Sequence, residues 1–191
     1  MQREITHPHK KLQHLAGRYL LRFLFPDFPF DEILIADTKK PYLPYEQYHF
    51  SISHCGDYAA AIVSSTQRVG IDIEIPTDKV LRIAHKFLNE DEMKSFNIQH
   101  SKFYIQNSSL PTPDSRLLTI LWSCKEAMFK WWGWGEVDFS EILRINHFEL
   151  KEEGNIDSKF IRQSINVSLQ LHYKLMPNLC LAWLSTEAAN I

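Results

Sequence analysis

Residues 69–75 alternate strictly, with Val69, Ile71, Ile73 and Ile75 on one side and Gly70, Asp72 and Glu74 on the other. Period two predicts a strand with one aliphatic face and two carboxylates on the opposite face. At a rise of about 3.3 Å per residue those carboxylates stand about 7 Å apart. Upstream, "YHFSISH" and "YAAAIVSS" flank the turn "CGD", and "TQR" leads into the alternating run. Residues 48–75 are therefore expected to form a three-stranded antiparallel meander.

Helical spacing marks three further stretches. Residues 9–25 carry an apolar stripe of Leu12, Leu15, Ala16, Tyr19, Leu20 and Phe23, with Lys11, Arg18 and Arg22 on a polar face; Pro26 and Pro29 end the helix. Residues 78–96 read as one helix with Asp78 as a candidate N-cap. Residues 115–132 give the strongest helix, with Leu117, Ile120, Leu121, Cys124 and Met128 to bury and Gly133 and Gly135 to stop it. Between these two helices, 99–114 is polar and reads as a loop. The last fifty residues alternate again in "INVSLQLHYKL" and "NLCLAWLS", which predicts a closing hairpin or sheet. Helices and strands mix without a βαβ rhythm, so the expected class is α+β.

Composition narrows the function more than the fold. The chain has 191 residues, 45% hydrophobic and 13% aromatic, with a formal net charge of −2. It holds a foldable globular composition and no global basic field for nucleic acid or a membrane surface. No apolar run reaches the roughly 18 residues of a spanning helix. "MQREITHPHKKLQHLAG" lacks the apolar core of a secretory signal. Cys55, Cys124 and Cys180 are odd in number and carry no CxxC spacing, which argues against a disulfide framework and a structural zinc site. A cytoplasmic location is expected.

Paired acids on a strand have two readings: a wet polar face, or ligands for a hard divalent cation that relieves their repulsion. On the 115–132 helix, Trp122, Glu126 and Lys130 stand at i, i+4 and i+8 and share a face. Glu126 with Lys130 is either an ordinary i,i+4 ion pair or a third acid and an anion-binding lysine for a site around Asp72 and Glu74. Ser53 and His54 end a predicted strand just before a turn, where a hydroxyl, an imidazole and free N–H groups can meet an anion. Histidine in such a place is also commonly structural.

Taken in order, "KKPYLP", "FSISHCGDYAAAIVS", "VGIDIE", "FLNEDE" and "LWSCKEAMFKWWGWG" resemble the 4′-phosphopantetheinyl transferase superfamily, over residues 39–135. The resemblance implies that a carrier-protein serine attacks the β-phosphate of coenzyme A, taking the phosphopantetheine arm and releasing 3′,5′-ADP. It implies Asp72, Glu74 and Glu126 as ligands of Mg2+, with Glu126 also a candidate base. Lys130 falls on the pyrophosphate lysine, Ser53 and His54 on phosphate contacts, and Lys40 near the adenine end. Lys125 lies in the same motif and counts among the coenzyme-binding candidates. Ser51 replaces a frequent asparagine and Lys39 a frequent glycine. Relatives place basic residues upstream of the first helix for the coenzyme's 3′-phosphate; Lys10, Lys11 and Arg18 are the nearest substitutes here.

The expected architecture is thus the 4′-phosphopantetheinyl transferase fold: two pseudo-symmetric α+β halves with antiparallel sheets. Residues 1–68 would form the coenzyme A-contacting half and 69–191 the Mg2+-binding, catalytic half. The expected partners are coenzyme A and an apo acyl or peptidyl carrier protein, with no nucleic acid or membrane and a monomeric enzyme. A Mg2+-dependent phosphohydrolase and a non-catalytic carrier-binding module are the rival functions. The Lys79, Arg82 and Lys86 face and Lys102 in the polar loop are the expected carrier-docking candidates.

Overall fold

The structure is a computed structural model that describes residues 7–98 and 113–188. Most of the expected polar loop, Lys102 included, lies outside the described residues; its expected last two residues belong to a helix. Among the described residues, strands and helices mix as an α+β fold with antiparallel sheets.

Helix α1 (Pro8–Leu24) leads into a short antiparallel pair, β1 (Leu34–Ile35) and β2 (Pro41–Tyr42). A hairpin follows, β3 (His49–Cys55) with β4 (Tyr58–Ser64). The alternating strand β5 (Gln67–Glu74) then leaves this hairpin. It pairs with β9 (Leu179–Glu187) at the edge of a five-stranded sheet of order β5-β9-β8-β7-β6. The other members are β6 (Leu143–Ile145), β7 (Glu153–Arg162) and β8 (Ile165–Met176).

The three-stranded meander is therefore corrected to a two-stranded hairpin beside a separate sheet. β5 still lies along β3, but side chains bridge the two strands in place of a backbone ladder. Ile71 N–H donates to Ser51 Oγ at 3.2 Å and Ile73 N–H to Ser53 Oγ at 3.3 Å. An edge strand must satisfy its outward N–H groups. Two buried serines on alternate positions of β3 do so here.

Helix α1 also turns the other way from its expected stripe. Gly17 and Leu21 are its buried residues, while Leu12, Leu15, Tyr19 and Phe23 are exposed. The reason is close approach: a Cβ on Gly17 would collide with Ile52 Cγ2, so the glycine face is the one that meets β3.

The expected 78–96 helix is broken into α2 (Lys79–Ile83), a 3-10 turn over Ala84–Lys86, and α3 (Glu90–Ser95). Asn89 starts α3 with a capping box: its side chain accepts from Glu92 N–H while Glu92 accepts from Asn89 N–H. That reciprocal cap satisfies donors a through-going helix would not leave open. Asp78 precedes α2 without a side-chain cap bond.

Helix α4 (Pro113–Trp132) packs across the five-stranded sheet, with Leu118, Leu121, Cys124, Ala127, Met128 and Trp131 fully buried. It meets β5 at Gly70, where an added Cβ would fall on the Ala127 carbonyl oxygen and 2.8 Å from Trp131 N. Glycine is what lets this helix lie on the acid-bearing face of β5. Two hydrophobic clusters result. One gathers Leu21, Phe28, Ile33, Leu43 and Phe50; the other runs from Val80 to Leu184 around α4.

Candidate active site

The site forms where three elements meet: the end of β3, the end of β5 and the C-terminal half of α4. Asp72, on the same face of β5 as Gly70, is buried. Its Oδ1 accepts from Ser53 Oγ at 2.8 Å and from Lys130 Nζ at 2.6 Å. Lys130 Nζ also donates to Ser53 Oγ at 2.8 Å, closing a three-membered network. Asp72 Oδ2 is buried and has no hydrogen-bond partner among the described residues.

Glu74, two residues on, has a carboxyl raised above its usual range, chiefly by burial and then by the nearby Asp72 charge. The Cys55 and Trp122 side chains hydrogen-bond to it and oppose that rise. Burial and Glu74 together push the Cys55 thiol up to about 11, so it stays a donor. Glu126, one turn before Lys130, is pushed up to about 7, first by burial and then by Asp72, with Lys130 opposing. Burial and the Asp72 charge thus raise the proton affinity of both Glu74 and Glu126, as a like charge nearby does. Among the described residues, no three His, Cys, Asp or Glu side chains stand close enough to hold a metal as they are now oriented.

Access to Glu126 comes through an open depression lined by Ile83, Lys86, Trp122, Phe129, Asp138 and Phe139, of about 480 Å³. Further along α4 a cavity of about 180 Å³ carries Lys130 together with Thr38, Lys39, Lys40, Ser51 and Gly133. Lys40 is partly buried there, and burial, with Arg68 second, lowers its ammonium to about 8.

Not every sequence candidate joins. His54 follows Ser53 on β3 and so points to the opposite face; it is exposed and close enough to His14 of α1 to lower that imidazole's pKa, after burial and Arg18. Lys125 is placed elsewhere altogether. It is fully buried, with Nζ donating to Glu92 at 2.6 Å, Phe87 O at 2.6 Å and Phe139 O at 3.0 Å. Consecutive helical residues diverge by about 100°, so Glu126 and Lys125 serve different surfaces. As placed, Lys125 ties α4 to α3 and lines neither cavity described above. Cys55 and Ser51 were missed; both share the Ser53 face of β3 by simple alternation, which is the signal that finds them.

This geometry agrees with the sequence relationships. The family model of the 4′-phosphopantetheinyl transferase superfamily matches residues 68–183, and the chain belongs to that superfamily. It is similar to enterobactin synthase component D of Salmonella typhi, 32% identical over 124 residues, covering 63% of this chain and 47% of that protein. The same component of Escherichia coli K12 is 30% identical over 132 residues, covering 63% and 54%. The 4′-phosphopantetheinyl transferase gsp of Aneurinibacillus migulanus is 30% identical over 128 residues, covering 63% and 46%. The chain spans about half the length of the curated relatives it matches. No helix among the described residues is long and apolar enough to cross a membrane.

Proposed function

We propose that this protein transfers the 4′-phosphopantetheine arm of coenzyme A to a serine of an apo acyl or peptidyl carrier protein. The observation that carries this reading is the Asp72–Ser53–Lys130 network, with Glu74 and Glu126 near enough to feel the Asp72 charge, in a member of this superfamily. In the reaction the serine oxygen bonds to the β-phosphorus of coenzyme A. The bond from that phosphorus to the bridging oxygen breaks, and 3′,5′-ADP leaves with the oxygen.

The residues fit a bound Mg2+. Asp72 Oδ2 is a buried oxygen with no partner among the described residues, and the raised Glu74 and Glu126 carry the repulsion that a divalent cation relieves. Asp72, Glu74 and Glu126 would hold it once their side chains reorient towards it. When bound, it supplies neutralisation of the charge on the pyrophosphate oxygens.

The chain's own groups do the rest. Glu126, near 7 in the metal-free protein, takes the serine proton, directly or through a water. Lys130, held by Asp72 and Ser53, faces the leaving phosphate as a fixed cation. Lys40 contacts the coenzyme from the cavity it shares with Lys130. His54 reaches phosphate from the exposed face of β3. In this reading residues 1–68 grip the coenzyme and 69–191 perform the chemistry, in a monomeric cytoplasmic enzyme.

The test is the release of 3′,5′-ADP from coenzyme A and Mg2+ with and without an apo carrier. Release that needs the carrier supports transfer. Nucleotide release without carrier points to a phosphohydrolase, and carrier binding with no release to a non-catalytic module.

A further inference from the structure

Two buried side-chain polar atoms among the described residues lack a hydrogen-bond partner, Asp72 Oδ2 and Ser123 Oγ. The first belongs to the site. The second lies in the middle of α4, on a residue with no exposed surface. A serine or threonine inside a helix commonly turns its hydroxyl back to the carbonyl four residues earlier. Thr119 does so, donating to Ser115 O at 2.6 Å, whereas Ser123, one turn on, does not. A buried hydroxyl left unpaired costs free energy, so it calls for a partner met in another state of the site.

The packing of α4 on β5 says which partner. Gly70 meets the Ala127 carbonyl and Trp131 N–H. Two strand positions beyond Asp72, Glu74 is hydrogen-bonded by the Trp122 side chain, so helix and strand run antiparallel. Asp72 lies midway, about 7 Å along the strand from either residue, and comes level with positions 123–126 of the helix. Burial and then the Asp72 charge push the Cys124 thiol up, which places Asp72 beside that same turn. Ser123 and Lys130 are seven residues apart, two helical turns less about 20°, and so share one face. Lys130 reaches back towards the helix N-terminus to meet Asp72 Oδ1. Ser123 flanks the same carboxylate from the N-terminal side.

We infer that Ser123 is a positioning residue for the cation-binding oxygen of Asp72, an inference that rests on the Mg2+ reading above. When Asp72 turns to present Oδ2 to a cation, the Ser123 hydroxyl donates to the other lone pair of that oxygen. Ser53 and Lys130 already hold Oδ1, so the carboxylate is then fixed at both oxygens. Hydrogen bonds that orient a ligating carboxylate commonly change metal affinity by about tenfold or more.

The experiment is calorimetry of the whole chain titrated with Mg2+ at pH 8, above the Glu126 value of about 7. Wild type is compared with Ser123→Ala, Ser123→Cys and Thr119→Val. Ser123→Ala should bind Mg2+ more weakly by about tenfold or more. Its metal-free melting temperature should stay at or above the wild-type value, because the hydroxyl it removes is bonded to nothing there. Ser123→Cys, with a weaker donor of similar size, should fall between Ser123→Ala and wild type, and it decides the matter if Ser123→Ala does not fold. Thr119→Val removes a hydroxyl bonded within its own helix and should keep Mg2+ affinity within about twofold of wild type. Unchanged affinity in Ser123→Ala, or in Ser123→Cys where only that variant folds, would overturn the inference and leave the Mg2+ reading standing. An equal loss in Thr119→Val would also overturn it, by tracing the effect to the packing of α4. A wild type that binds no Mg2+ would overturn the metal reading itself.

Discussion

Lys130 Nζ lies 2.6 Å from Asp72 Oδ1, while the other oxygen of the same carboxylate is buried with no partner among the described residues. One carboxylate thus fixes the lysine through one oxygen and, in the proposed reaction, would offer the other to a cation. Glu74 and Glu126 stand near enough to feel that charge, and both are pushed towards protonation by burial and by it.

The Glu126 shift gives a pH-dependent stability. Its folded pKa of about 7 exceeds the ordinary value of 4.5, so between those two values the folded state binds more protons than the unfolded state. Stability is then lost as pH rises through that window. In the metal-free protein, Glu126→Gln should melt higher than wild type at pH 8, and the difference should vanish near pH 4.5. Adding Mg2+ to wild type near pH 6.5 should release protons, which a weakly buffered titration detects. Equal melting temperatures at pH 8 would contradict the shift.

Lys125 predicts a separation of stability from binding. Its ammonium is lowered to about 8 by burial, and Glu92 supports it. Lys125→Met leaves Glu92 buried without its cation and should cost about 3–5 kcal/mol by chemical denaturation. Coenzyme A affinity of the folded fraction should be unchanged. A large loss of affinity without a loss of stability would restore Lys125 to the ligand site.

Gly70→Ala should be more damaging than a single methyl suggests. The new Cβ meets backbone of α4 at Ala127 and Trp131, which cannot move aside as a side chain can. A loss of at least about 3 kcal/mol, or failure to fold, is expected. Near-normal stability would mean that α4 does not lie this close to β5.

Carrier docking should use the exposed basic residues beside the Glu126 depression. Lys79, Arg82 and Lys86 are all exposed, and Lys86 lines the depression itself. Replacing Arg82 and Lys86 with glutamate should raise the carrier KM and slow association at low salt, with coenzyme A binding spared. An unchanged KM at low ionic strength would remove this face from the interface.

Much of the site could be read from local spacing because its parts are local. Asp72 and Glu74 share a strand face, and Glu126 and Lys130 share a helix face; both follow from backbone period alone. The partner of β5 could not be read that way. Short turns on either side of β4 favour a meander, whereas the observed partner, β9, begins 105 positions after β5 ends and is chosen by the buried aliphatics of the whole sheet. The direction of α1 depended on Gly17 reaching Ile52, a tertiary contact with no periodic signature. Lys125 is adjacent to Glu126 in sequence but not on its face, so its contacts with Glu92, Phe87 and Phe139 have no local signature. The break at Asn89 was legible in the N-x-x-E spacing that forms its capping box.

The most direct measurement is the intact mass of an apo carrier protein after incubation with coenzyme A, Mg2+ and this protein, alongside the Asp72→Ala and Glu126→Ala variants. The carrier should gain one phosphopantetheine group on its serine with wild type, while both variants, folded by circular dichroism, leave it unmodified. Near-normal modification by either variant would contradict the assignment of these acids to the transfer site. An unmodified carrier with wild type, across acyl and peptidyl carriers, would contradict the activity itself.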